Sequence, residues 1–200
     1  MTGETLRQPK TGTKIWLWPN VLTYGRIVAV PVLAGLLLYG GTKALWLAVA
    51  IYIAAAISDF FDGYLARRWQ QQSALGRMLD PIADKVLVSV VLLVLATDGV
   101  LSGGHIWAAI IITAREVLVS GLREFLMELR VSVPVTQIAK WKTTAQLLAV
   151  GFLIAGPAGD ALVPGVTVAG LFLLWVAAGL TLYTGYDYFR AGIRHVVDEE

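Results

Sequence analysis

The sequence predicts an all-α protein that crosses a membrane six times. Hydrophobic residues make up 57% of its 200 positions and charged residues only 15%, whereas about 25% charged residues is usual in soluble domains. Several apolar runs approach the ~20 residues with which a helix spans a bilayer. We therefore expect a six-helix transmembrane domain at 21–188, an N-terminal cytoplasmic or interfacial segment at 1–20 and a cytoplasmic tail at 189–200.

Short polar or glycine-rich connections separate the apolar runs. Tryptophans mixed with turn formers just before the first run predict an interfacial segment, with Asn20 as the N-cap of the first helix. The glycine-rich stretch at 156–160 is expected to be a turn. The predicted spans are Val21–Tyr39, 44–68, 74–96, 105–129, 140–155 and 163–188.

The basic residues predict which side of the membrane each connection faces. Fifteen of the 16 lysines and arginines fall at the two termini, at the second-to-third and fourth-to-fifth connections, or at the helix ends beside them. Only Lys43 falls at the ends of the predicted helices that face the other side of the membrane. Because Lys and Arg accumulate on the cytoplasmic side, both termini and these two connections are predicted to be cytoplasmic.

Two pairs of aspartates flank the second connection. Asp59 and Asp62 are three residues apart, and Asp80 and Asp84 are four apart, so each pair shares one face of a helix. Four carboxylates brought together would repel one another unless cations neutralise them. All-oxygen ligands suit Mg²⁺ or Mn²⁺, and the chain has no cysteine. Two ions held by shared carboxylates are an established arrangement for phosphoryl chemistry.

Small residues and one arginine accompany the aspartates. Gly63 and Ala66 continue the face of the first pair and leave room for a ligand to approach the backbone. Arg67 can donate two hydrogen bonds to one phosphate. Gly76 lies near the predicted start of the third helix.

Together these positions resemble the signature of the CDP-alcohol phosphotransferases, membrane enzymes that move a phosphatidyl or related group from a CDP-linked donor to an alcohol. The resemblance implies that Asp59, Asp62 and Asp80 bind two metal ions. It places Asp84 near the second ion as the general base, so that Asp80 and Asp84 are the catalytic candidates. The residues implied for the CDP portion are Asp62, Gly63, Ala66, Arg67 and Gly76.

Basic residues on the same membrane face indicate an acceptor that carries its own phosphate, because a neutral alcohol needs no such charge. The candidates for binding this phosphate are Thr23, Arg26, Arg115, Arg123, Lys140 and Lys142. The second half of the chain is similar to the bacterial branch of the family that forms phosphatidylglycerophosphate, although Ala139 replaces the glycine usual there. That likeness implies CDP-diacylglycerol and sn-glycerol 3-phosphate as substrates, a bacterial cytoplasmic membrane and a homodimer. Membrane lipids are expected partners and nucleic acid is not.

Three other functions are compatible with these sequence features. A sister enzyme could use serine, inositol phosphate or a lipid as acceptor. An intramembrane prenyltransferase also pairs aspartates with Mg²⁺, but the glycine, alanine and arginine positions favour the CDP family. A cation transporter would place its carboxylates near the bilayer midplane rather than at one face.

Overall fold

The computed structural model describes residues 18–69, 74–129 and 137–197. Within these ranges the chain forms six helices and no strand, which confirms the all-α prediction. The predictions for 1–17, 70–73, 130–136 and 198–200 lie outside the described residues, as do the side chains of 59–75. The helices are α1 (Trp18–Tyr39), α2 (Thr42–Trp69), α3 (Ala74–Thr97), α4 (His105–Glu128), α5 (Gln137–Asp160) and α6 (Val166–Val197).

Several helix ends differ from the prediction, three of them where a cap, a turn or a tail was expected. Asn20 is not the N-cap, because α1 already begins at Trp18. Pro19 fits in this first turn, where its missing N–H costs no hydrogen bond. The stretch at 156–160 is not an open turn, since α5 bends at Gly156 (φ 41°, ψ −125°) and continues to Asp160. α6 extends to Val197, so most of the segment predicted as a tail is helical.

The six helices share one apolar core. α1 packs against α2 and α3, while α5 packs against α6 and α2, and α4 against α6. Fully buried aliphatic side chains meet where these helices face one another. Burial of this kind stabilises packing by about 1.5–3 kcal/mol for each large side chain. The core includes Leu33, Ala48, Val91, Ile112, Leu153 and Leu174.

The outer surface is also apolar, as a lipid-facing surface requires. Large hydrophobic side chains such as Val28, Leu93, Trp107 and Phe172 are more than half exposed. Among the described residues, three segments are long and apolar enough to cross a membrane: Val21–Tyr39, His105–Met127 and Val166–Arg190. α2 contains a shorter apolar segment, Thr42–Ser58. These features identify a membrane protein, and the count of six spans stays a prediction.

Asp160 ties the end of α5 to the start of α6. One of its carboxylate oxygens accepts hydrogen bonds from the N–H groups of Gly165 at 3.1 Å and Thr167 at 3.0 Å. Hydrogen bonding by Thr167, and less by Gly165, lowers the pKa of Asp160. Its contribution to stability is therefore present above the pKa it has in the unfolded chain, and is lost as the pH falls through the lower folded-state pKa.

We expect Asp160→Ala to lower the melting temperature by a few degrees, because two amide groups at the start of α6 lose their acceptor. Asp160→Asn keeps an acceptor oxygen and should retain most of the stability. Thermal unfolding of both variants in detergent checks this expectation. Equal melting temperatures for the wild-type and alanine proteins would contradict it.

Candidate active site

Two aspartates of α3 are held by side chains of α1. The hydroxyl of Thr23 donates a hydrogen bond to Asp80, and the guanidinium of Arg26 forms an ion pair with Asp84. The Arg26 side chain is only 1% exposed, whereas that of Asp84 is 47% exposed. α1 thus fixes one side of each carboxylate, and the Asp84 side chain remains partly exposed. The sequence predicts that Thr23 and Arg26 bind the acceptor phosphate. In the structure each of them contacts an aspartate of α3.

These aspartates border a cavity of about 410 Å³. α3 contributes Asp80, Asp84 and Lys85 to its wall, and α5 contributes Lys142 and Gln146. The cavity therefore combines carboxylates with cations, as a site for a charged substrate requires. Its other polar side chains are those of Arg26, Ser89, Thr113, Glu116, Arg123 and Thr143.

A second cavity, of about 560 Å³, adjoins the first. Its wall carries five basic side chains and one acidic side chain, Glu116. Such an excess of positive charge attracts phosphate groups. Both cavities share Ala56, Lys85, Glu116, Arg123, Lys142, Thr143 and Leu147. The basic residues of the second cavity are Lys85, Arg115, Arg123, Lys140 and Lys142.

Glu116 organises two of these cations. Its Oε1 atom accepts a hydrogen bond from Lys142 and lies 3.4 Å from a guanidinium nitrogen of Arg115. Lys142 and Arg115 are both largely buried. Glu116 and Arg123 are seven residues apart and share a face of α4, but Glu116 pairs with Lys142 on a different helix. Its role was missed because a contact between α4 and α5 has no signal in the spacing along either helix.

The Arg115 side chain packs against α6. Its second terminal nitrogen donates to the hydroxyl of Thr184 at 2.9 Å, and its guanidinium lies 6.0 Å from the ring centre of Tyr188. A Cβ atom built on Gly185 would lie 3.1 Å from Cγ of Arg115, so glycine gives the arginine its close approach to α6. None of these three α6 residues was expected to contribute to the site. They fix the guanidinium beside Glu116.

We expect Glu116→Gln to reduce the free energy of unfolding by about 1–3 kcal/mol, because two largely buried cations lose their carboxylate. Thermal unfolding in detergent measures the effect. Glu124→Gln is the matched control, since Glu124 is an exposed residue of the same helix. An equal decrease in melting temperature for both variants would show that the contact does not stabilise the fold.

The structure describes some of the remaining predicted site residues and leaves the side chains of others undescribed. Asp59, Asp62, Gly63, Ala66 and Arg67 belong to the last turns of α2, and their side chains lie outside the described part of the structure. However, Ala55 and Ala56 line the first cavity, so α2 borders this cavity one turn before Asp59. Gly76 is buried in the first turn of α3, and both Arg123 and Lys140 are exposed at the second cavity.

The donor atoms of Asp80 and Asp84 fit a hard divalent cation, because both are carboxylates that border one cavity. Across the described residues, no three acidic, histidine or cysteine side chains form a metal-binding group. The predicted set includes Asp59 and Asp62, whose side chains lie outside the described part of the structure. The four-carboxylate cluster therefore remains a prediction.

Taken together, the fold and the site define a helical membrane protein with a carboxylate pair beside a phosphate-attracting cavity. The chain belongs to the CDP-alcohol phosphatidyltransferase family, whose model matches residues 16–183. Members of this family generally use divalent metal ions, in agreement with the oxygen donors found here.

Several relatives carry one enzyme name, CDP-diacylglycerol--glycerol-3-phosphate 3-phosphatidyltransferase. The protein of that name from Cereibacter sphaeroides is 39% identical over 92% of this chain and 99% of its own length. The Rickettsia typhi protein is 44% identical over 86% of this chain and 95% of its own length. The Escherichia coli protein is 39% identical over 90% of this chain and 97% of its own length.

Proposed function

We propose that this protein transfers the phosphatidyl group of CDP-diacylglycerol to sn-glycerol 3-phosphate, with phosphatidylglycerophosphate and CMP as products. The observation that carries the proposal is the adjoining pair of cavities. One cavity is lined by Asp80 and Asp84, two of the four signature aspartates, and the other is lined by five basic side chains. The names of relatives that match nearly the whole chain support the same reaction.

The donor is assigned to the side of the site that α2 and α3 form. The backbone near Gly63, Ala66 and Gly76 would accommodate the CDP portion, with Asp62 and Arg67 as its polar contacts. Two Mg²⁺ or Mn²⁺ ions, held by Asp59, Asp62, Asp80 and Asp84, would neutralise the diphosphate and the departing CMP. Thr23 and Arg26 hold Asp80 and Asp84 in position for this task.

The acceptor phosphate is assigned to the second cavity. Lys142 lines both cavities, so a phosphate bound there leaves the rest of the acceptor within reach of Asp84. Arg115, Arg123 and Lys140 add positive charge around the same space. This excess suits a phosphorylated acceptor better than serine, which carries no net charge at neutral pH.

Asp84 is assigned as the general base. Arg26 holds one side of its carboxylate, and the exposed side can accept the proton of the C1 hydroxyl of the acceptor. The C1 oxygen then forms a bond to the phosphorus of the phosphatidyl group, while the bond from that phosphorus to the CMP oxygen breaks. Holding both substrates in one pair of cavities aligns the attacking and leaving oxygens.

The remaining assignments concern the cell and the assembly. We place the site and both termini on the cytoplasmic side of a bacterial cytoplasmic membrane, because the basic residues cluster at that end of the helices. A homodimer is proposed from the family resemblance alone. Accessibility of single cysteines to a membrane-impermeant thiol reagent tests the orientation, and the chain has no native cysteine to interfere.

The reaction itself is tested with purified protein, labelled CDP-diacylglycerol, Mg²⁺ and a panel of acceptors. We expect CMP and phosphatidylglycerophosphate to form in equal amounts when sn-glycerol 3-phosphate is supplied, and turnover to stop when a chelator removes the metal. Product with only serine or only inositol phosphate would overturn the choice of acceptor. Metal flux into liposomes without CMP release would favour a transporter.

A further inference from the structure

Gln146 is a buried polar residue on the wall of the cavity that Asp80 and Asp84 border. Its side chain belongs to α5 and is 93% buried, with 7% relative exposure. Its Oε1 atom receives no hydrogen bond from any residue that the structure describes. A buried amide oxygen without a donor is unfavourable, and native structures usually supply a partner. Gln146 lines the 410 Å³ cavity, so a ligand in that cavity can supply the donor.

The position of Gln146 along α5 relates it to the acceptor. It follows Lys142 by four residues, which places the two on one face of the helix about 6 Å apart along its axis. Lys142 lines both cavities, whereas Gln146 lines the cavity of Asp80 and Asp84 and is absent from the wall of the basic one. Gln146 therefore lies on the side of Lys142 where the carbon chain of the acceptor must extend.

The chemistry of the acceptor leaves one group for Gln146. sn-Glycerol 3-phosphate has three polar groups: the phosphate, the C1 hydroxyl that attacks, and the C2 hydroxyl between them. The proposed function assigns the phosphate to Lys142 and the C1 hydroxyl to Asp84. A neutral amide oxygen suits a hydroxyl donor, because it neither repels the nearby phosphate as a carboxylate would nor competes for it as a cation would.

We propose that Gln146 is a specificity-determining residue whose Oε1 atom accepts a hydrogen bond from the C2 hydroxyl of the acceptor. The inference rests on the proposed function and extends it to a contact that selects the substrate. It predicts that the site distinguishes glycerol phosphate from an alkyl phosphate of equal length. A site built to hydrogen-bond a hydroxyl rejects an analogue that lacks it more strongly than an apolar pocket rejects a change of size.

The test compares two acceptors in two proteins. The acceptors are sn-glycerol 3-phosphate and 3-hydroxypropyl phosphate, which lacks the C2 hydroxyl, and the proteins are wild type and Gln146→Met. Wild type should prefer glycerol phosphate by roughly 10- to 100-fold in kcat/KM. Gln146→Met, similar in size but without the acceptor oxygen, should reduce this preference to about threefold or less. Its activity on 3-hydroxypropyl phosphate should remain close to that of wild type.

Two controls keep the result interpretable. Gln137→Met changes an exposed glutamine at the start of the same helix and should keep the wild-type preference. If Gln146→Met does not fold, Gln146→Leu provides the same comparison of acceptors. An equal loss of kcat/KM on both acceptors in Gln146→Met would overturn the inference. A wild-type protein without any preference between the acceptors would overturn it too. Absence of CMP release from wild type with glycerol phosphate would instead refute the proposed function.

Discussion

Asp84→Asn is expected to lower kcat by about 10²- to 10⁴-fold, because the amide cannot accept the proton of the attacking hydroxyl. The substitution preserves the size of the side chain and an oxygen that can accept a hydrogen bond from Arg26. Loss of the charge that pairs with deeply buried Arg26 should also lower stability, as in Glu116→Gln, so turnover is compared at a temperature at which both proteins are folded. Asp80→Asn should also remove most of the activity, through weaker metal binding. Rates of CMP release from purified variants measure both effects.

Asp98→Asn is the matched control for these variants, since Asp98 is an exposed aspartate just beyond the other end of α3. It should retain wild-type turnover. Thermal unfolding of each variant in detergent separates loss of chemistry from loss of fold, because Arg26 is deeply buried beside Asp84. A folded Asp84→Asn protein with wild-type turnover would exclude Asp84 as the base.

Lys142→Ala is expected to raise the KM for sn-glycerol 3-phosphate by roughly 10- to 100-fold, because a largely buried cation that contacts phosphate contributes more than a solvated one. The KM for CDP-diacylglycerol should change little. Glu116 still has Arg115 as a partner after the substitution, so the second cavity should keep its general form. Steady-state kinetics with each substrate varied in turn provide the measurement.

Lys43→Ala is the corresponding control, since Lys43 is an exposed lysine at the start of α2, away from the site. Its kinetic constants should match those of wild type. If Lys142→Ala altered only the saturation by CDP-diacylglycerol, the basic cavity would belong to the donor and the assignment of the two substrates would be reversed.

The helices could be predicted closely because long apolar runs, separated by short polar or glycine-rich connections, dominate this sequence. Their ends were less predictable, since those depend on local backbone geometry. Pro19 is compatible with a first turn, so α1 starts before Asn20. Gly156 allows α5 to bend and then continue, so glycine and proline there do not end the helix. Composition alone does not separate a bend within a helix from a turn between two helices.

The aspartates of α3 could be selected from sequence because their spacing places them on one face. Their partners on α1 could not, since Thr23 is 57 residues from Asp80 and Arg26 is 58 from Asp84. A basic residue near an acidic site is compatible with binding a substrate phosphate or with pairing to a carboxylate. Because α1 lies directly against α3, packing brings Thr23 and Arg26 to the aspartates, and their binding of the acceptor phosphate stays a prediction.

The contribution of α6 had no signal in the sequence at all. In the sequence, nothing distinguishes Gly185 and Tyr188 from other residues of an apolar helix. In the structure, both lie against the Arg115 side chain. Their role follows from the contact of α4 with α6, which no periodicity within either helix encodes. The sequence predicted several of the charged residues that line the two cavities, whereas Glu116, Lys85 and the contacts from α6 were found only in the structure.

The most direct test of the account is a titration of Mn²⁺ binding, followed by electron paramagnetic resonance, in the presence of CDP-diacylglycerol. Two ions are expected to bind each wild-type chain, and Asp59→Asn of α2 and Asp80→Asn of α3 should each bind fewer ions or bind them more weakly. Asp98→Asn should bind as wild type does. Wild-type stoichiometry and affinity in both site variants would contradict the claim that these two helices bind the metal ions together.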